Sequence, residues 1–177
     1  MASKYDELKQ AISDYGEAAM ENLVRCKGIG QAIVAGFPAW LGCPPERVTT
    51  VPPGGQFDPR RDYGEAAFSY HSQPVIRLEP IIFGICVAVQ NVEDSGALWL
   101  RTAIRLEVTG DTFDIFVANQ PAVHVSLDYD DEKLAPVFEA IHKELMQVFK
   151  TQLAEFNDSR YERGIGFFVA PEEATDK

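Results

Sequence analysis

Basic residues are scarce in this chain. Lys and Arg number 16 against 27 Asp and Glu, which leaves a net charge of −11. Nucleic-acid binding rests on Lys and Arg neutralising phosphates. No basic run offsets the mean, so no nucleic-acid partner is expected. An anionic membrane surface is disfavoured for the same reason. The longest apolar runs, such as residues 81–89, are far too short to span a bilayer. The N-terminus, Met1-Ala2-Ser3-Lys4-Tyr5-Asp6-Glu7, turns charged at once and carries no apolar signal core.

Cysteine and histidine are scarce too. Cys26, Cys43 and Cys86 are odd in number and widely spaced, with no Cys-x-x-Cys pair. That speaks against a zinc ribbon or a thioredoxin-like pair and for three reduced, inert thiols in a reducing compartment. The expected location is therefore the cytoplasm. His71, His124 and His142 form no His-x-His or His-x-x-x-His pair, so neither a metal nor a cofactor is expected. No serine sits in a Gly-x-Ser-x-Gly elbow. Nothing places a histidine beside a cysteine, so no catalytic nucleophile can be assembled.

Hydrophobic residues make up 46% and charged residues 24%. Those values belong to globular chains and exclude disorder throughout. At 177 residues the chain has the length of one domain. We expect residues 1–170 to form that domain and 171–177 to be a disordered tail.

Residues 5–27 predict a helix, because Tyr5, Leu8, Ile12, Tyr15, Ala19, Leu23 and Cys26 recur at steps of three and four. Gly28 and Gly30 then predict a break, with a second short helix over 32–40 ended by Pro44 and Pro45. The segment Lys27-Gly28-Ile29-Gly30 lacks the third glycine and the preceding strand of a dinucleotide loop. A helix-hairpin-helix reading of it would require backbone contacts to DNA, which the charge disfavours. Residues 50–64, with Pro52-Pro53-Gly54-Gly55, Asp58-Pro59 and Gly64, predict a mobile loop.

After the loop the period changes to two. Segments 66–72, 75–79, 81–90, 97–109, 112–118 and 122–127 read as strands. Leu98, Leu100, Ile104, Leu106 and Val108 alternate with Arg101, Arg105 and Glu107, the pattern of a half-buried antiparallel strand. A two-residue turn at Gly110-Asp111 sets Val108 opposite Phe113, Leu106 opposite Ile115 and Ile104 opposite Val117. A three-residue connection, Asn119-Gln120-Pro121, would keep Val123, Val125 and Leu127 on the same face. The outer face of this meander would then carry a row of Arg105, Phe116 and His124. Residues 131–156 predict the strongest helix, started by Asp128, Asp130 and Asp131 and striped by Leu134, Phe138, Ile141, Leu145, Val148 and Phe149. Gly166–Val169 predicts a short edge strand. The hexapeptide Asp-Tyr-Gly-Glu-Ala-Ala at 14–19 and 62–67 has unmatched flanks, so it is no repeat. The acids of 128–132 lack the glycine and glutamate of a calcium loop. The expected fold is therefore α+β: a single twisted antiparallel sheet of five or six strands, with the meander at 97–127, packed by an N-terminal and a long C-terminal amphipathic helix.

Two constellations remain as candidate ligand sites. One is Arg60-Arg61 at the end of the Pro/Gly loop, a candidate for anions. The other is the outer sheet face, with Arg101, Arg105, Phe116 and His124 over a floor of Gly84, Cys86 and Ala88. The helix stripe and this face offer more apolar and mixed surface than one core needs. The functional expectation is a non-catalytic binding or adaptor domain acting as a homodimer on a protein partner. The alternative is a small-molecule binding protein or enzyme, with His124 as acid/base and Arg101 or Arg105 holding an anion.

Overall fold

The computed structural model describes residues 1–90, 97–157 and 167–169. The first helix, α1 (Lys4–Leu41), begins at a capping box. Asp6 N donates to Ser3 Oγ at 3.1 Å, and Ser3 N donates back to Asp6 Oδ2 at 3.0 Å. Two of the free amide groups of the first turn are satisfied this way. The helix ends at Gly42, whose φ of 80° lies in the left-handed region that glycine adopts freely.

The expected break at Gly28 and Gly30 does not occur, and the two predicted helices are one. The glycines serve close packing instead. A Cβ on Gly30 would lie 3.0 Å from Phe68 Cε1, 3.4 Å from Phe83 Cε1 and 3.5 Å from Leu106 Cδ1. The helix rides on the sheet at these positions, and the contact outweighs a helix-propensity penalty of about 1 kcal/mol per glycine.

The strands are β1 (Val48–Val51), β2 (Ile81–Gln90), β3 (Ala97–Thr109), β4 (Thr112–Val117), β5 (Val123–Ser126) and β6 (Phe167–Val169). They form one antiparallel sheet in the order β1-β2-β3-β4-β5, with β6 added to β3. The Gly110-Asp111 turn and the pairs Val108–Phe113, Leu106–Ile115 and Ile104–Val117 stand as the sequence predicts. The second helix, α2 (Asp131–Asn157), starts where Asp130 Oδ1 accepts from Lys133 N at 2.8 Å.

Two predicted strands are absent and one was missed. Residues 64–67 form a 3-10 turn, and neither 66–72 nor 75–79 is a strand. In 66–72 the chain bonds to β2 through Ser69: its N donates to Ile82 O at 2.8 Å, and Ile82 N donates to its Oγ at 2.9 Å. The segment 75–79 docks on α1 instead. Leu78 N donates to Tyr15 Oη at 2.9 Å, and Asn22 Nδ2 donates to Glu79 O at 3.0 Å. Conversely, β1 occupies the start of the predicted loop, with Thr50 opposite Ile85 and Val51 opposite Gly84. Residues 171–177 lie outside the described residues.

Both helices pack on one face of the sheet. The core joins Ile29, Ile33 and Phe37 of α1, Phe83, Ile85, Ile104, Leu106, Phe113 and Ile115 of the sheet, and Leu134, Phe138 and Ile141 of α2. Where the helices meet, Gly36 lies under the ring of Phe138, which also contacts Phe37 and Trp40 at centroid distances of 5.8 and 6.2 Å. Burial of α1 starts at Ala19; residues 1–17 are exposed throughout.

Candidate functional site on the outer sheet face

The face of the sheet turned away from the helices is built by alternation. Along β2 it takes Ile82, Gly84, Cys86 and Ala88, and along β3 it takes Trp99, Arg101, Ala103, Arg105 and Glu107. Gly84 pairs with Ala103, Cys86 with Arg101 and Ala88 with Trp99, so the predicted small-residue floor forms.

That floor is roofed by the chain itself. The segment 52–63 folds back over it after β1. A Cβ on Gly84 would meet Val51 O at 2.7 Å and Pro52 O at 2.8 Å, so glycine is what lets this backbone cross so closely. Arg101 holds the roof in place. Its Nη1 donates to Pro52 O at 3.2 Å and its Nη2 to Gly55 O at 2.8 Å, and its guanidinium lies 4.3 Å from the Phe57 ring centre. Burial lowers the pKa of Arg101. Cys86 beneath is buried, and its thiol is pushed up to about 11 by that burial. Arg101 is therefore a clamp on the loop, not one wall of an open groove.

Arg60 and Arg61 stand on the same roof. Arg60 lies 5.9 Å from the Trp99 ring centre and Arg61 4.8 Å from that of Tyr63. Tyr63 Oη in turn accepts from Asp58 N at 2.8 Å. Among the described residues neither arginine makes an ion pair. The aromatic partners Phe57, Tyr63 and Trp99 were not predicted. Trp99 was legible as an outward position of β3, and Tyr63 meets its near neighbours Arg61 and Asp58, whereas the contact of Phe57 with Arg101 depends on the loop folding back over the sheet.

The uncovered half of the face carries Arg105, Phe116 and His124. Arg105 faces Phe116 as predicted, with its guanidinium 4.2 Å from the ring centre, and its Nε lies 3.2 Å from Glu107 Oε1. His124 does not join that row. It pairs with Asp114, one rung along, because the connection from β4 to β5 spans residues 118–122 and includes Ala118 at a φ of 42°. Five residues keep the face that three would give, since both are odd, but they shift the register by two.

This shift builds a small polar relay. Thr109 Oγ1 donates to Asp114 Oδ2 at 2.9 Å, and His124 Nδ1 lies 2.6 Å from Asp114 Oδ1. The hydrogen bond from His124, then that from Thr109, holds the Asp114 carboxyl below the usual carboxylate range. An ionised carboxylate accepts, so Nδ1 carries the proton and donates. The carboxylate orients the ring as in a catalytic dyad. However, the His124 side chain is 70% exposed, and among the described residues no hydroxyl or thiol bonds its other nitrogen. Among the described residues the pair has no nucleophile to activate.

The remaining candidates are structural. Cys26 is buried in the core with its thiol pushed up to about 11, and burial also raises that of the half-buried Cys43. His142 packs edge-on against Trp40 at 5.9 Å. Among the described residues no group of three or more His, Cys, Asp or Glu could hold a metal, and no helix is long and apolar enough to cross a membrane. Two shallow cavities, of about 290 and 250 Å³, lie beside Val34, Thr50 and Phe68 and beside Asn22, Glu79 and Thr109. None of the six predicted site residues lines either. No family model, curated protein or solved structure matches this chain.

Proposed function

We propose that this protein is a non-catalytic binding or adaptor domain that acts as a homodimer. The observation that carries the proposal is the bare apolar face of α1. The stripe that Ala19, Cys26, Ile33 and Phe37 bury in the core continues through Tyr5, Leu8, Ile12 and Tyr15, which are 67%, 62%, 71% and 47% exposed. An uncovered apolar stripe of this length marks an association surface. The outer sheet face supports the same reading by what it spends internally. Arg101 serves the loop, Arg105 serves Glu107 and Phe116, and His124 serves Asp114. Light scattering on the purified protein across micromolar concentrations should give the mass of two chains. A constant monomer mass would remove the homodimer from the proposal.

A second reading, binding of a small anionic ligand, draws on Arg60 and Arg61, exposed neighbours that stack on rings and not on carboxylates. A thermal-shift panel of phosphorylated and carboxylated metabolites should then show a stabilising compound whose effect Arg60→Ala reduces at least several-fold. Absence of any shift, with no bound mass by native mass spectrometry, rejects it.

A further inference from the structure

The bare end of α1 has a spacing of its own. Tyr5, Leu8, Ile12, Tyr15 and Ala19 follow one another at three, four, three and four residues. That is the seam of a two-helix contact, in which side chains of one helix fill the gaps of another. The seam is also self-limiting. From Ala19 onward the same stripe is filled by the chain's own sheet, by Phe83 and Leu106 beside Gly30. Residues 4–17 project roughly 21 Å beyond that point, at about 1.5 Å per residue.

We propose that two copies of this chain pair through residues 5–15 of α1 in antiparallel orientation, with Tyr5 of each facing Tyr15 of the other and Leu8 facing Ile12. This rests on the homodimer reading above and specifies its surface. Steric exclusion fixes the orientation. A parallel partner helix seated on the stripe would run on past residue 19 into the space that the first copy's own sheet fills. An antiparallel partner leaves in the opposite direction, so its sheet lies beyond the first copy's N-terminus. The contact is then isologous and closed at two chains.

The surroundings of Tyr15 fit this geometry. Its hydroxyl accepts from Leu78 N, which brings exposed Leu78 to the end of the seam, with exposed Val75 on the same segment. Tyr5 of the second copy comes opposite Tyr15 and beside Leu78. The four seam residues expose roughly 500 Å² of side chain per copy. Two copies together offer up to about 1,000 Å², the threshold for a specific interface, and the exposed Leu78 and Val75 beside Tyr15 add to that surface.

Sedimentation of the full chain and of the double variant Leu8→Asp/Ile12→Asp tests the surface. The wild type should sediment as a dimer, and the double variant should lose at least tenfold in dimer affinity with its near-UV circular dichroism, the signature of a packed core, retained. Val24→Asp, an exposed apolar position on another face of α1, should stay dimeric. A wild type that is monomeric throughout overturns both the homodimer reading and this inference. A dimeric wild type whose double variant remains dimeric overturns this inference alone. Cysteine pairing tests the orientation independently. Mixed Leu8→Cys and Ile12→Cys chains should cross-link to each other faster than either links to itself. Faster self-linking of Leu8→Cys overturns the antiparallel arrangement.

Discussion

Gly36 and Gly16 lie in the same helix and should respond differently to the same change. A Cβ on Gly36 would sit 2.8 Å from Phe138 Cζ. The ring has little room to move, because Phe37 and Trp40 flank it. Overpacking of this kind costs about 1–3 kcal/mol, against a propensity gain of about 1 kcal/mol. Gly36→Ala should therefore destabilise the fold, by up to about 2 kcal/mol in urea unfolding. Gly16 has no atom within 4 Å of its would-be Cβ and lies before the buried part of the helix. Gly16→Ala should raise far-UV helicity and leave the urea midpoint of the core in place.

Asp114 carries a pH dependence of defined sign. Its folded pKa lies below its ordinary value, first through the hydrogen bond from His124 and then through that from Thr109. Such a group stabilises the fold above its unfolded pKa, about 3.9, and that contribution fades as the pH falls through the lower folded value. Wild type should therefore be more stable than Asp114→Asn at about pH 6, and the gap should narrow once the pH falls below the unfolded pKa of about 3.9. Urea midpoints above and below that value check this. A gap that persists in acid would assign the effect to packing.

At the scale of elements, the sequence was legible where local signals and burial agreed. The Gly110-Asp111 turn and the alternation in β3 and β4 demand the same register, and that register is found. The same holds for α2, where the acidic cap and the apolar stripe coincide. It was not legible where a partner distant in sequence decides. Gly30 signals a break until Phe68, Phe83 and Leu106 are placed against it. Segment 66–79 has strand composition, but β1 already occupies residues 84–87, the middle of the β2 edge that it would need. The hexapeptide Asp-Tyr-Gly-Glu-Ala-Ala makes the point within one chain. At 14–19 it is helix, and at 62–67 it ends in a 3-10 turn. Of the candidate site, the Arg105–Phe116 pair followed from the turn. The position of His124 did not, because its register depends on how many residues a loop uses. The length of α1 also outran the sheet, which is why a stripe that looks uniform in sequence is half buried and half bare.

At the scale of the whole molecule, one sheet is covered differently on its two sides. Helices bury the first side with apolar packing, whereas a Pro/Gly-rich loop covers part of the second and is held largely by one arginine. The two coverings should open at different free energies, since the loop has few buried apolar contacts to lose. Cys86 reports on this, because it lies buried under the loop while Cys26 lies in the core and Cys43 is partly exposed. In the wild type a thiol reagent should modify Cys43 readily and the other two slowly. Arg101→Ala removes two hydrogen bonds from a charged donor to Pro52 O and Gly55 O, each worth about 1.5–3 kcal/mol. Loop opening should then rise by more than about tenfold, the equivalent of about 1.4 kcal/mol. Opening also removes the burial that raises the Cys86 thiol, so its reactivity gains a second time. Arg101→Ala should thus show two fast thiols in place of one, with Cys26 still protected. Fast modification of Cys26 as well would mean that the variant had loosened the core, and an unchanged single fast thiol would mean that Arg101 is not what holds the loop.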